Sequence, residues 1–88
     1  MANFDNSADF AMDLTFKFIK ERMKDKGVTQ IQLSEMIGIN ESTLIRNFKK
    51  VTAMPFSTYL KICGALELQP YLVAKEDGDE MPNRISFN

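Results

Sequence analysis

Residues Thr29–Phe48 read TQIQLSEMIGINESTLIRNF, and this stretch decides the fold. Leu33, Ile37, Ile39 and Leu44 are spaced so that two short helices can turn apolar faces toward each other. Thr29 suits the cap of the first helix, with Gln32 three residues on to complete a capping box. Gly38 falls where that helix must stop, because a left-handed residue is easiest without a Cβ. Ile39 plugs the corner and Asn40 caps the second helix. The pattern predicts helices over Gln30–Ile37 and Glu41–Phe48 in a helix-turn-helix.

Upstream, Ser7 suits the cap of a helix running to about Lys26, which Gly27 ends. Phe10, Leu14 and Phe18, with Phe16, Ile19 and Met23 one step round, form a broad apolar stripe at helical spacing. Phe16 and Phe18 admit two readings: both fill the core, or one of them joins a dimer contact. Lys17, Lys20 and Lys24 line one face, either solvated or approaching a DNA backbone. Downstream, Lys49–Pro55 reads as a connecting loop. Ser57 caps a fourth helix, Thr58 to Leu66, with Tyr59, Ile62, Cys63 and Leu66 inward and Gly64 suggesting close packing. Pro70 opens a short fifth helix, Tyr71 to about Lys75. The expected organisation is a loose N-terminus over 1–8, one all-α five-helix domain over 9–75, and a flexible acidic tail over 76–88.

Eighty-eight residues allow one small domain with a modest core. A hydrophobic content of 44% and a charged content of 26% are those of an ordinary soluble protein, and no apolar run approaches a membrane span. The acidic N-terminal stretch has no continuous apolar region of the kind a secretory signal needs. The single cysteine, Cys63, has no intramolecular partner, which fits a reducing, cytoplasmic setting, and its spacing from Tyr59 and Leu66 marks it as a small core residue. Net charge is −1, yet it is unevenly spread. Residues 1–13 hold three Asp and no basic residue, whereas 17–26 hold five Lys/Arg against Glu21 and Asp25. Local field, not the total, governs contact with phosphate.

The chain has no histidine, no cysteine pair and no carboxylate cluster at metal-ligand spacing, so neither a zinc site nor any other metal or cofactor is expected. It has no glycine-rich phosphate loop and no nucleophile elbow, and an enzyme is not expected. Asp77, Asp79 and Glu80 lack the remaining ligands of a calcium loop and read as solvated tail. The Arg84–Phe87 segment reads as tail, or as a strand or docking peptide.

The segment resembles the phage repressor/Cro family of helix-turn-helix regulators, also called lambda-repressor-like or XRE. The matching residues are Thr29-Gln30, Leu33-Ser34, Gly38-Ile39, Ser42-Thr43-Leu44 and Arg46, then Pro55–Ile62 and Ala65-Leu66, so the likeness spans about Ile19 to Leu72. Two positions depart from it. Asn47 stands where the family usually packs an apolar residue, with Phe48 the expected substitute, and Lys49-Lys50 replaces a common Asn-Gly pair. The resemblance implies that the second helix of the motif enters the major groove of double-stranded DNA. Glu41, Ser42, Ile45 and Arg46 are then the base-reading residues. Arg46 matches guanine O6 and N7, Glu41 can accept from cytosine N4, Ser42 can donate or accept, and Ile45 can meet a thymine methyl. Gln30, Asn40, Thr43, Lys49 and Lys50 are the expected phosphate contacts, Gln30 from a helix N-terminus. The resemblance further implies a homodimeric regulator pairing through Tyr71, Leu72 and Val73 on its last helix. Two alternatives keep the scaffold: an interaction module that no longer reads DNA, and an antitoxin whose tail binds a protein partner.

Overall fold

The capping box forms as the sequence predicts: the Gln32 N–H donates to Thr29 Oγ1 at 3.1 Å, and the Thr29 N–H to Gln32 Oε1 at 2.9 Å. The computed structural model describes residues 4–74, which hold four helices and no strand. These are α1 (Asp5–Lys26), α2 (Gln30–Ile37), α3 (Glu41–Phe48) and α4 (Phe56–Ala65). Helix α2 packs against both α3 and α4. The core takes Phe16, Ile19 and Met23 from α1, Leu33 and Ile37 from α2, Leu44 and Phe48 from α3, and Ile62 and Leu66 from α4 and its end. Phe16 meets Phe48 edge-on, with ring centroids 5.4 Å apart. Cys63 is buried, as expected for a small core residue.

All four helices stop in one way. A residue in the left-handed region turns the chain, and the next N–H returns to the carbonyl five residues back. The bonds are Val28 to Met23 at 2.9 Å, Ile39 to Ser34 at 3.0 Å, Val51 to Arg46 at 2.9 Å and Leu68 to Cys63 at 2.8 Å. At the first two stops the turning residues are Gly27 and Gly38, with φ of 69° and 73°. At the other two they are Lys50 and Glu67, with φ of 64° and 59°. A side chain there costs about 1–2 kcal/mol. Helix α1 engages both of these residues. Lys50 Nζ lies 2.7 Å from Asp9 and 2.6 Å from Asp13, and Glu67 lies 2.7 Å from Lys26. Arg22 Nε donates to the Leu66 carbonyl at 2.9 Å, satisfying one of the last carbonyls of α4.

Several expectations are corrected. Helix α1 starts at Asp5, and Ser7 lies inside it instead of capping it. Helix α4 starts at Phe56 behind Pro55, whose φ of −63° suits a helix entry, and no side chain caps it. The fifth helix does not form over Tyr71–Ala74, and Lys75 lies outside the described residues, as do the expectations for the tail. Tyr71, Leu72 and Val73 are therefore exposed on irregular chain, without the helix on which a dimer contact was expected. Asn47 leaves no gap for Phe48 to fill, since both are buried. The Asn47 amide donates to Thr52 Oγ1 at 3.1 Å and to the Ala53 carbonyl at 3.3 Å, tying the loop after α3 to the domain. Phe10, Leu14 and Phe18 point outward, and only the Phe16, Ile19, Met23 side of α1 is core.

Gly64 is exposed, and a Cβ there would meet nothing within 4 Å, so close packing does not require it. Gly64→Ala is expected to raise stability by about 0.4–1 kcal/mol through the unfolded-state entropy it removes. Leu44, fully enclosed at 0% exposure, should lose about 2–5 kcal/mol as Leu44→Ala. Urea denaturation of both variants checks the pair. A destabilised Gly64→Ala would mean that α4 packs more closely there than described.

Candidate nucleic-acid interface

Helix α3 turns Leu44, Asn47 and Phe48 inward, at the i, i+3, i+4 spacing that defines one helical face. The opposite face is left to solvent. Ser42, Arg46 and Lys49 are exposed, and Glu41, Thr43 and Ile45 are half-buried. The four expected base readers thus share the accessible side of one short helix, with Glu41 and Ile45 presenting only part of their surface. The Arg46 side chain makes no hydrogen bond or ion pair among the described residues, so its five donors are available to an acceptor outside the chain.

Asn40 and Ser42 are linked. Asn40 Oδ1 accepts from the Ser42 N–H at 2.9 Å, which caps α3, and from Ser42 Oγ at 2.7 Å. The Ser42 hydroxyl hydrogen is therefore engaged, and its oxygen is left to accept. The Asn40 NH₂ stays available as a donor, the polarity a phosphate requires. Glu41 sits in the first turn of α3, where its charge also favours the helix dipole.

Gln30, half-buried, is the first residue of α2. The capping box occupies the Gln32 N–H, and the Leu33 N–H bonds to the Thr29 carbonyl at 2.9 Å. The N–H groups of Gln30 and Ile31 remain without an intrahelical acceptor, the arrangement that suits an anion. Lys49 is exposed and makes no ion pair among the described residues. Lys50 differs: the hydrogen bonds it donates to Asp13 and Asp9 raise its pKa and hold its ammonium against α1. The two residues that replace the Asn-Gly pair therefore have unlike roles, one open to solvent and one committed to the fold. Lys17, Lys20 and Lys24 are exposed on α1, with Lys20 Nζ 5.5 Å from the Phe48 ring centroid.

Two further groups titrate away from their usual values. The Lys26 hydrogen bond and charge lower the Glu67 carboxyl pKa, and burial, then the neighbouring Cys63, raises that of the Tyr59 hydroxyl. The Glu67 pairing is present above the ordinary carboxylate range and is lost as pH falls through the lowered value. The charge on Lys50 is present below its ordinary range and is lost as pH rises through its raised value. Among the described residues, no group of three or more His, Cys, Asp or Glu is placed to hold a metal ion. No described helix is long and apolar enough to cross a membrane.

A capped two-helix motif, an open second helix with a free arginine, and an unsatisfied helix N-terminus beside it define a helix-turn-helix domain. A family model described as the Cro/C1-type HTH DNA-binding domain matches residues 19–71. The chain belongs to this family, which is one of DNA-binding domains. No curated protein and no solved structure matches the chain significantly.

Sequence reasoning missed two residue sets around this site. Asn47 reads as a defect in a packing position, but it is the anchor of the loop behind α3. Asp9 and Asp13 read as a bare acidic stretch, but they hold the end of α3 through Lys50. The second had a signal in the sequence, an Asp pair four apart on a helix whose far end is basic. Loss of one phosphate contact lowers the slope of log affinity against log salt by about 0.9. Lys49→Gln is expected to show that change and Lys50→Gln very little, in titrations of nonspecific duplex DNA at several salt concentrations.

Proposed function

We propose that this chain is a sequence-specific regulator of transcription that lays α3 in the major groove of double-stranded DNA. The observation that carries the reading is the α3 surface, where the unpaired Arg46 guanidinium stands beside Ser42 and Ile45 on a helix belonging to a DNA-binding family. Arg46 reads a guanine through O6 and N7, the Ser42 oxygen accepts from a base amine, and Ile45 contacts a thymine methyl. Gln30, Asn40, Thr43 and Lys49 position the helix on phosphates and carry no sequence information. A domain with so few base contacts gains specificity by binding as a homodimer to two half-sites a helical turn apart. Such a dimer acts as a repressor by occupying its operator, in the compartment that holds the DNA.

One observation favours a second reading, a protein-interaction module on the same scaffold: Glu41 places a negative charge at the helix end that faces the groove. Its position in the first turn of α3 gives that charge a local role as well, and Asn47 no longer supports the module because its amide serves the fold.

Selection of bound duplexes from a random DNA pool is expected to return one half-site containing a guanine. Arg46→Ala should lose about 1–3 kcal/mol of discrimination, confined to that base pair. Glu41→Gln should raise nonspecific affinity if Glu41 only repels wrong sites, and weaken the selected site if it accepts from a cytosine. Enrichment of no sequence, with all these variants binding alike, would reject DNA reading and leave the interaction module in its place.

A further inference from the structure

The family match begins at Ile19, whereas α1 begins at Asp5, so the first fourteen residues of this helix lie outside the matched domain. Their outward side is apolar. Phe10 is 64% exposed, Leu14 52% and Phe18 58%. At four-residue intervals these three form one ridge, on roughly the opposite side of α1 from Phe16, Ile19 and Met23. Two aromatic rings and a leucine at these exposures present on the order of 300–400 Å² of apolar surface, the size of the largest patch on an ordinary monomer, and such patches are often functional. Described chain covers none of the three fully.

The charges on the same helix say what covers it. From Asp5 to Phe16 the helix carries Asp5, Asp9 and Asp13 and no basic residue. From Lys17 to Lys26 there are five Lys/Arg against Glu21 and Asp25, a net charge of three positive. Lys50 offsets one of the acidic charges and Glu67 one of the basic ones, which leaves both halves charged as before in sign. Two copies of α1 laid antiparallel set each acidic half beside a basic half, while a parallel arrangement sets like against like. The helix dipoles also favour the antiparallel order.

The ridge fits this arrangement. A two-fold contact requires that if residue i meets residue j, then j meets i. With Leu14 on the axis, Phe10 meets the Phe18 of the second copy and Phe18 its Phe10, so one spacing serves both chains. Asp13 and Lys17 lie beside the ridge on one flank, and antiparallel packing brings each against the other's counterpart. We infer that this chain forms a homodimer through the Phe10, Leu14, Phe18 ridge of α1, packed antiparallel about Leu14. The interface depends on nothing in α3 and is measured without DNA, so its failure leaves the DNA-binding reading to its own test.

Sedimentation of the full chain at tens of micromolar is expected to show a dimer. Leu14→Asp should weaken it at least about tenfold, with helical circular dichroism and unfolding midpoint close to those of the parent, since Leu14 is outside the core. Cysteine cross-linking under mild oxidation fixes the geometry, with buried Cys63 as a silent background. Leu14→Cys should form a disulfide-linked dimer with itself. Phe10→Cys and Phe18→Cys should cross-link when mixed and only poorly alone. Self-linking of Phe10→Cys as fast as the mixture would overturn the antiparallel order. A monomeric parent chain, whether its ridge is bare or covered by residues 75–88, would overturn the dimer itself.

Discussion

The structure depends on how its helices are made to stop. Each of the four ends in a left-handed residue followed by a backbone bond to the carbonyl five back, and the chain then leaves at a fixed angle. Three of the residues that follow, Val28, Ile39 and Leu68, drop partly buried onto the core, so the stop also sets the packing. Two of the stops use glycine and need nothing more. The other two use Lys50 and Glu67, and the acidic and basic halves of α1 each hold one of them. Exposed ion pairs of this kind contribute little by themselves, about 0–1 kcal/mol. Their part is to fix where α3 and α4 end relative to α1.

The turn motif was legible from residue types because its determinants are local. Thr29, Gln32, Gly38 and Asn40 act within three residues of themselves, and both helix ranges follow from them. Determinants that act across the chain were not legible. Periodicity places Phe10, Leu14 and Phe18 on one side of a helix, but it does not say which of two apolar sides meets the core. Asn47 is polar at a packing position, and only the returning loop puts the Thr52 and Ala53 groups within reach of its amide. Tyr71, Leu72 and Val73 are adjacent, with no helical spacing between them, so Pro70 alone carried the expectation of a fifth helix. The recognition surface falls between these cases. Its members follow from the register of α3, but the Asn40–Ser42 link and the commitment of Lys50 depend on folded geometry.

A net charge of −1 is not the charge that DNA meets. Asp9 and Asp13 spend part of their field on Lys50, and Glu67 is neutralised locally by Lys26. What remains open toward a ligand near α3 is Arg46 and Lys49 against Glu41, with Lys17, Lys20 and Lys24 on α1. This surface carries five basic groups against one acidic one, and each basic group that meets a phosphate adds sequence-independent affinity through counterion release. Phosphate contacts carry no sequence information, so any discrimination between sites has to come from side chains of α3 that reach base edges.

Helix α1 is tied to the end of the recognition motif. Asp9 and Asp13 hold the residue that closes α3, and Phe10 and Leu14 are their neighbours in sequence on the outward side of the same helix. A helix is stiff over this distance, about 6 Å from Asp9 to Asp13 along its axis. A contact that fixes the outward side of α1 therefore also fixes the place from which Lys50 and the end of α3 are held. The outward ridge of α1 and the end of α3 are then joined by one rigid element and two ion pairs. The N-terminal extension beyond the family's domain is the part of the chain that joins them.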